Sequence, residues 1–248
     1  MLVDREKYII EQIQETGKVQ VDALAKDLDV SAMTIRRDLD NLKKKGLVDR
    51  CYGGAVIKTE IPYLDKQIKN AEAKKRIAKY AAALIEPNDT VFLDAGTTTY
   101  QIAKLLAGLQ DVTVVTDDIQ IANLLMNTSI TVYMCGGLIQ KSTGCVIGNF
   151  TTEMVKDFCL DIAFIGAGAI DSNFNLLTPT SEKISLKRQL VATCSKTYLV
   201  ADSDKFHKKA LLKINNCDVY TGVITDMVFS DEEKEIIEKR NIKILQVC

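Results

Sequence analysis

Apolar side chains in the first sixty residues recur at helical spacing in three short segments. Residues three and four apart share one face of a helix. The spacing therefore predicts three helices, at residues 5–15, 21–28 and 32–45. Gly17 and Gly46 end the first and third of these helices, and Ser31 is placed to cap the start of the third. Residues 47–56 follow as a small hairpin with a glycine tip. Three short helices and a hairpin are the plan of a winged helix-turn-helix.

Beyond residue 70, short apolar runs alternate with helical patterns. The apolar runs predict strands at residues 90–94, 112–116, 130–135, 162–166, 197–201, 219–225 and 242–247. A helix is predicted before the first strand and between most of the others, at residues 71–85, 99–109, 119–127, 151–158, 181–195 and 232–240. Buried strands that alternate with helices form a mostly parallel sheet. We therefore expect an α/β chain with a winged helix-turn-helix, a linker and a Rossmann-like α/β sensor domain, at residues 1–58, 59–70 and 71–248.

Composition narrows the class of protein. The chain has 248 residues, of which 47% are hydrophobic and 26% charged, as in soluble globular proteins. No apolar run approaches the roughly 20 residues of a membrane helix, and the N-terminus lacks the apolar region of a secretory signal. The 7 cysteines are widely spaced and His207 is the single histidine, which argues against a zinc site. We expect a cytoplasmic protein with no metal, no cofactor and no membrane partner.

Charge is unevenly distributed along the chain. The whole sequence has a net charge of −1, but residues 31–58 carry seven Lys or Arg against three Asp or Glu. That local excess begins where the third predicted helix begins. A local excess of this kind is typical of a surface that binds a polyanion, although a solvated helix face also produces one.

The predicted third helix suits the major groove of DNA. Its first turns carry short polar and basic side chains that reach base edges and phosphates: Ser31, Thr34, Arg36 and Arg37. The hairpin adds Arg50 and Tyr52, which are placed to reach phosphate or the minor groove. The alternative is a winged helix that binds another protein. Because the basic excess starts at the third helix, we expect double-stranded operator DNA as the partner.

The first predicted strand of the second half ends in Asp94-Ala-Gly96-Thr97-Thr98-Thr99 and leads into a helix. Glycine lets backbone amides approach an anion, the hydroxyls add donors, and the helix N-terminus adds positive potential. The segment therefore suits a phosphate, although it lacks the lysine of a nucleotide P-loop. The alternative is a plain glycine turn with a threonine cap. At another strand end, Lys205 with Asp202 is placed to steady a phosphate or a sugar hydroxyl, or to form an ordinary turn ion pair.

The string Ser31-Ala-Met-Thr-Ile-Arg-Arg-Asp-Leu39 resembles the signature of the DeoR family of bacterial transcription regulators. Arg5, Ile9 and Ile13 stand upstream at the spacing of that signature, and Gly53-Gly54-Ala55 resembles its wing. The second half also resembles the family in four segments, at residues 94–99, 136–137, 164–166 and 201–206. The resemblance spans nearly the whole chain. It implies a DNA-binding repressor of sugar-utilisation genes.

The resemblance also implies an effector domain similar to ribose-5-phosphate isomerases. A sugar-phosphate effector is implied near residues 94–99, Gly136, Asp171, Asp202 and Lys205. The chain departs from the family pattern at three positions: Lys183 stands where the family often has Glu, Asp117 where it has Asn, and His207 where it has Gly. We assign no role to His207, and we expect a carboxylate at position 117 to repel a phosphate placed close to it.

Two functions remain open at this point. The first is a homo-oligomeric repressor, dimer or larger, that is not an enzyme and that a phosphorylated sugar releases from DNA. The alternative is a sugar-phosphate isomerase with an appended DNA-binding domain. An isomerase needs a positioned general base, for which Asp171 and Asp202 are candidates, with Lys205 to stabilise the enediolate.

Overall fold

The computed structural model describes residues 2–16, 18–45, 47–57, 63–109 and 111–248. The N-terminal unit contains three helices and three strands: α1 (Leu2–Thr16), β1 (Lys18–Gln20), α2 (Val21–Asp27), α3 (Ala32–Lys44), β2 (Val48–Cys51) and β3 (Gly54–Ile57). The strands form an antiparallel sheet in the order β1-β3-β2. This arrangement confirms the predicted winged helix-turn-helix. The predicted helix ends at Gly17 and Gly46 lie outside the described residues.

The apolar positions that predicted the helices form the core of this unit. Side chains from α1, α2 and α3 are fully buried together: Ile9, Ile13, Leu24, Ile35, Leu39 and Leu42. Gly54 explains how the hairpin closes onto this core. A β-carbon at residue 54 would lie 1.7 Å from the carbonyl oxygen of Val19, so β1 and β3 pair closely only because residue 54 has no side chain.

The second unit is built on a seven-stranded sheet. Its strands are β4 (Thr90–Leu93), β5 (Thr113–Thr116), β6 (Thr131–Met134), β9 (Ile162–Gly166), β12 (Lys196–Val200), β14 (Gly222–Thr225) and β15 (Ile244–Gln246). They are parallel throughout, in the order β15-β14-β12-β9-β4-β5-β6. Every strand predicted for this half belongs to the sheet. The predicted parallel α/β fold is therefore confirmed.

Helices cover both faces of this sheet. One face packs against α5 (Ala71–Ala82), α6 (Thr97–Leu106) and α7 (Ile119–Leu125), and the other against α8 (Asn149–Lys156), α9 (Ile184–Thr193) and α10 (Asp231–Lys239). Because both faces are covered, the inner strands β4, β5, β9, β12 and β14 are buried along nearly their whole length rather than alternating. The loops after the strands, at their carboxyl ends, are left to carry polar groups.

Three features were not predicted. A short antiparallel sheet joins β10 (Ala169–Ile170), β11 (Asn175–Thr178) and β13 (Leu212–Asn216), and a hairpin joins β7 (Leu138–Gln140) and β8 (Cys145–Ile147). The predicted linker 59–70 contains a helix, α4 (Tyr63–Ile68), while residues 59–62 lie outside the described part. These elements have two to six residues, which is too short for a clear period in the hydrophobic pattern.

Two other kinds of feature are not found among the described residues. None of the helices there is both long and apolar enough to cross a bilayer. Within the same residues, no group of three or more His, Cys, Asp or Glu side chains could hold a metal ion.

Candidate functional site

The start of α3 is organised by its own polar side chains. The Ser31 hydroxyl accepts a hydrogen bond from the Thr34 amide at 3.1 Å and lies 2.9 Å from the Thr34 hydroxyl. Ser31 therefore caps the helix, as predicted. Arg36 and Arg37 follow on the exposed side of α3, and the structure thus places all four predicted residues within its first two turns.

The opposite side of α3 is fixed to α1. Asp38 is almost fully buried, and both its oxygens accept from Arg5, at 2.5 Å from Nε and 3.1 Å from Nη2. A two-point contact of this kind sets the rotation of α3 as well as its distance from α1. The arginines that follow Ile35 are consequently held outward.

Of the two DNA-contacting residues predicted in the wing, one is fully exposed and the other is partly buried. Tyr52 is 99% exposed at the tip of the hairpin. Arg50 is partly buried, and its Nη1 lies 3.7 Å from the Asp40 carboxylate, which ties the wing to α3. Met33, in the first turn of α3, is 70% exposed. The sequence reasoning passed over Met33 because it counted only polar and basic side chains as DNA contacts, although an apolar side chain can pack on a thymine methyl group.

A pocket opens at the carboxyl end of the parallel sheet, as expected for this class of fold. It encloses about 540 Å³, including the solvent at its mouth. The residues that line it are Lys66, 95–99, 166–168, Leu177, Thr178, Lys183, Lys187, Lys205 and Ile214. Four of these described residues are lysines and none is acidic. Basic side chains therefore outnumber acidic ones in the lining, and Asp94 beneath it balances the charge of Lys187.

A buried ion pair forms the floor of this pocket. The Lys187 ammonium donates to Oδ2 of Asp94 at 2.7 Å and to the Gly166 carbonyl at 2.5 Å, and the Gly166 amide donates to the same Oδ2 at 2.8 Å. Asp94 lies beneath the lining, so it positions Lys187 and does not itself face the pocket.

Two further carboxylates hold the loop after β4. The Ala95 amide donates to Asp117 at 2.8 Å, and the Gly96 amide donates to Asp118 at 3.0 Å. Burial, reinforced by the Asp94 charge, raises the pKa of Asp117 to about 7, and burial raises the pKa of Asp118 to about 6. The two amides that the sequence offered to a phosphate first are thus already bonded within the protein.

The next three amides belong to the first turn of α6. Within the described residues, no acceptor is found for the amides of Thr97, Thr98 and Thr99, which is the normal state of a helix N-terminus. The Thr99 hydroxyl donates back to the Gly96 carbonyl at 2.8 Å. Any anion at this loop would be held from residue 97 onward.

The structure brings together part of the predicted effector set. Gly96, Thr97, Thr98, Thr99 and Lys205 line the pocket. Four other predicted residues do not line it: Asp94, Gly136, Asp171 and Asp202. The last three form hydrogen bonds elsewhere in the protein. The Asp171 carboxylate accepts the Asn173 and Asn175 amides in a turn, the Gly136 carbonyl accepts from Thr151 at 2.8 Å, and Asp202 accepts from Asn70 at 2.8 Å.

Three lysines of the pocket were missed as site residues. Lys183 and Lys187 are four apart at the start of α9, so they share a face, and this spacing was a usable signal. Lys66 lies on α4, in the segment predicted to be a linker, where nothing in the sequence pointed to the pocket. His207, to which we assigned no role, lies 3.4 Å from Glu233.

Solved structures align with part of the chain at low identity. Ribose-5-phosphate isomerase A from Methanocaldococcus jannaschii is 16% identical with a TM-score of 0.42, covering 56% of this chain and 55% of that one. The delta subunit of eIF2B from Chaetomium thermophilum is 19% identical with a TM-score of 0.48, covering 67% of this chain and 59% of that one.

Full-length relatives and family models agree with each other. The chain is 31% identical to a putative aga operon transcriptional repressor of Escherichia coli O157:H7, over 98% of this chain and 93% of that protein. It is 29% identical to the glycerol-3-phosphate regulon repressor of Escherichia coli K12, over 98% of each. The model of the DeoR-like helix-turn-helix domain matches residues 5–60, and that of the DeoR C-terminal sensor domain matches residues 69–227. The chain therefore belongs to the DeoR family of DNA-binding transcriptional regulators.

Proposed function

We propose that this regulator represses sugar-utilisation genes and leaves its operator when a phosphorylated sugar binds the lysine-lined pocket. Residues 1–58 bind DNA, residues 59–70 connect, and residues 71–248 sense the effector. The protein acts in the cytoplasm, where it meets both the operator and phosphorylated metabolites.

The observation that carries this proposal is the charge of the pocket. Four lysines and the amino end of α6 surround it, and no carboxylate is among the described lining residues. A dianionic phosphate is the group that such an arrangement favours, because ammonium groups and helix N-termini both attract anions. The Escherichia coli K12 relative is a glycerol-3-phosphate regulon repressor, which supports a phosphorylated ligand here as well.

The DNA contacts come from α3 and the wing. Arg36 and Arg37 project from the exposed side of α3, with Ser31 and Thr34 at its start and Tyr52 at the tip of the hairpin. We propose that α3 enters the major groove and that the wing contacts the backbone or the minor groove. Release follows by linkage, since effector and DNA favour different arrangements of the protein.

We propose that the protein works as a symmetric homo-oligomer, at least a dimer. One small recognition helix buries too little surface for operator-grade affinity, whereas two half-sites about 34 Å apart match a two-fold protein. Light scattering at micromolar concentration, with and without operator DNA, measures the state directly. A monomer under both conditions contradicts this part of the proposal.

The alternative, an isomerase, finds little support in the geometry. Its candidate bases, Asp171 and Asp202, do not line the pocket, and their carboxylates accept hydrogen bonds from neighbouring asparagines and backbone. We propose that the chain binds sugar phosphates without converting them.

The test combines three measurements on the full chain. Fluorescence anisotropy follows binding to DNA from upstream of the neighbouring genes, with and without a panel of sugar phosphates and their free sugars. Calorimetry against the same panel measures effector affinity, and an aldose–ketose assay measures turnover. Release by one phosphorylated sugar, with no response to the free sugar and no turnover, is the expected result. Equal responses to the free sugar and its phosphate would exclude the phosphate assignment.

A further inference from the structure

The connector helix α4 contributes to the effector pocket. It is the first described element after the wing strand β3, which ends at Ile57. Its residue Lys66 lines the pocket together with the first turn of α6. Six peptide units separate Ile57 from Tyr63, and they can span no more than about 20 Å. The distance between α4 and the DNA-binding unit is therefore limited by this short connection.

Buried groups hold α4 against the sensor domain. The ammonium of Lys74, on α5, is almost fully buried and donates to the carbonyls of Lys66 and Lys69, the latter at 2.6 Å. Burial lowers the pKa of Lys74 to about 8. At the other end of α4, the Tyr63 amide donates to the Ser142 carbonyl at 3.0 Å. The position of α4 is thus set by specific contacts at both ends.

These contacts also connect α4 to the elements that form the pocket. The rings of Tyr63 and Tyr100 meet edge to face with centroids 6.3 Å apart, and Tyr100 lies on α6. Asn70, just after α4, donates to Asp202 at 2.8 Å, three residues before Lys205. Two of the cations that line the pocket, Lys66 and Lys205, therefore stand on segments whose positions depend on each other.

Two buried polar atoms in and next to the contacts of α4 lack a hydrogen-bond partner. Within the described residues, the hydroxyl of Tyr63 and the second oxygen of Asp202 are buried without a partner. A buried polar group without a partner costs free energy, which reduces the stability of this arrangement relative to one that satisfies the group. A segment whose alternative positions are close in free energy responds to a ligand that favours one of them.

We propose that Lys66 binds the effector's phosphate and that, through α4, it couples the filled pocket to the DNA-binding unit. This inference rests on the proposed function. The phosphate is held between the first-turn amides of α6 and the ammonium of Lys66, so it favours the position of α4 in which Lys66 faces the pocket. Operator DNA favours another position, and the two ligands oppose each other in consequence.

The test compares Lys66→Met with Lys69→Met in the full chain. Lys69 is an exposed lysine just after the same helix, 3.6 Å from Asp204, and does not line the pocket, so it is the matched control. Inorganic phosphate serves as the smallest probe, at constant ionic strength set with chloride. The melting temperature is followed as phosphate is added. The coupling factor is the operator dissociation constant at saturating phosphate divided by the operator dissociation constant without phosphate. The same measurement is then repeated with the sugar phosphate that releases the wild type from the operator.

Phosphate is expected to raise the melting temperature of the wild type and Lys69→Met, and to require at least tenfold higher concentration for Lys66→Met. The coupling factor is expected to exceed ten for the first two proteins and to approach one for Lys66→Met. The phosphate contact is overturned if phosphate stabilises Lys66→Met as much as the wild type, or if it does not stabilise the wild type at all. An unchanged factor in Lys66→Met, or a wild-type factor of one, overturns the coupling. If phosphate acts through Lys66 but no sugar phosphate releases the wild type, the effector class fails and this inference stands.

Discussion

Lys187 and Asp94 form a buried ion pair across the end of the parallel sheet. Their N–O distance is 2.7 Å, and their side chains are 7% and 2% exposed. Through Gly166, which bonds to both of them, the pair joins the end of β4, the end of β9 and α9. The floor of the pocket is therefore a single bonded unit, and its rigidity depends on both charges.

Removing one partner of this pair is expected to destabilise the sensor domain. Lys187→Met leaves the Asp94 carboxylate buried without its counter-ion, which costs about 3–5 kcal/mol in comparable buried pairs. The measurement is urea unfolding followed by tyrosine fluorescence and circular dichroism. Adding Asp94→Asn to the same chain is expected to recover a large part of the loss, because the uncompensated charge is then gone.

Lys156→Met is the control for that experiment. Lys156 lies 2.6 Å from Glu153 on the surface of α8, where both side chains are about half exposed. Exposed pairs of this kind contribute about 0–1 kcal/mol. A loss in Lys187→Met as small as the loss in Lys156→Met would show that the buried pair is not a structural element.

Asp117 gives the sensor domain a pH dependence with a definite sign. Its pKa is raised from 3.8 to about 7, so between these values the folded chain binds more protons at this site than the unfolded chain. The contribution of Asp117 to stability is therefore fully present below about pH 4 and is lost as the pH rises through 7. Asp117→Asn is expected to gain stability over the wild type as the pH rises, with a gain about 2 kcal/mol or more larger at pH 8 than at pH 5.

Thermal or urea unfolding at pH 5, 6, 7 and 8 checks this sign. Asp218→Asn is the control, because Asp218 is exposed and its substitution changes the net charge equally. The control is expected to follow the wild type at every pH. A gain in Asp117→Asn that is the same at pH 5 and pH 8 would contradict a protonated Asp117 in the folded state.

The main architecture could be predicted from the sequence because it depends on repeated local patterns. The core of α3 follows from Ile35, Leu39 and Leu42, which are apolar at spacings of four and three and are all buried. The seven strands of the parallel sheet follow from continuous apolar runs, since a sheet covered on both faces needs no alternation. The order of the strands in the sheet does not follow from either pattern, because it depends on contacts between distant segments.

The pocket could be predicted only in part, because its charges come from distant segments. Gly96 and the threonines after it could be found, since a strand, a glycine and a helix start are adjacent in sequence. Lys66 and Lys187 could not be brought together, because 121 positions of the chain separate them and no pattern in the sequence links the two segments. The bonds from Asp117 and Asp118 to the loop amides are likewise long-range contacts.

Arg36 and Arg37 are expected to carry a large share of operator affinity. Both are exposed on α3, where a bidentate arginine–guanine contact is worth about 1–3 kcal/mol of discrimination. The double variant Arg36→Ala/Arg37→Ala is therefore expected to weaken operator binding by at least tenfold and to reduce its salt dependence. Anisotropy titrations at several salt concentrations measure both effects.

The control removes the same charge from the other unit. Lys75 and Lys79 are exposed on α5, so Lys75→Ala/Lys79→Ala lowers the net charge equally without touching α3. This variant is expected to bind operator within twofold of the wild type. Both double variants should unfold at the wild-type temperature, because exposed side chains contribute little to stability. Undiminished operator binding by the arginine variant would remove α3 from the proposed interface.

Gly96→Val is expected to separate effector response from DNA binding. Gly96 has a φ of 171°, an extended conformation that any residue adopts, so the backbone itself tolerates the change. A β-carbon there would lie 3.3 Å from the Thr99 hydroxyl oxygen, and the valine methyl groups would stand before the first-turn amides of α6. Phosphate could then no longer approach those amides.

Gly108→Val is the matched control, because a β-carbon at residue 108 meets no atom within 4 Å. We expect both variants to bind operator like the wild type, and only Gly96→Val to lose release by the phosphorylated sugar, with calorimetry showing at least a tenfold loss of effector affinity. Since the site lies in the sensor domain, full release of Gly96→Val at the wild-type effector concentration would place the phosphate elsewhere.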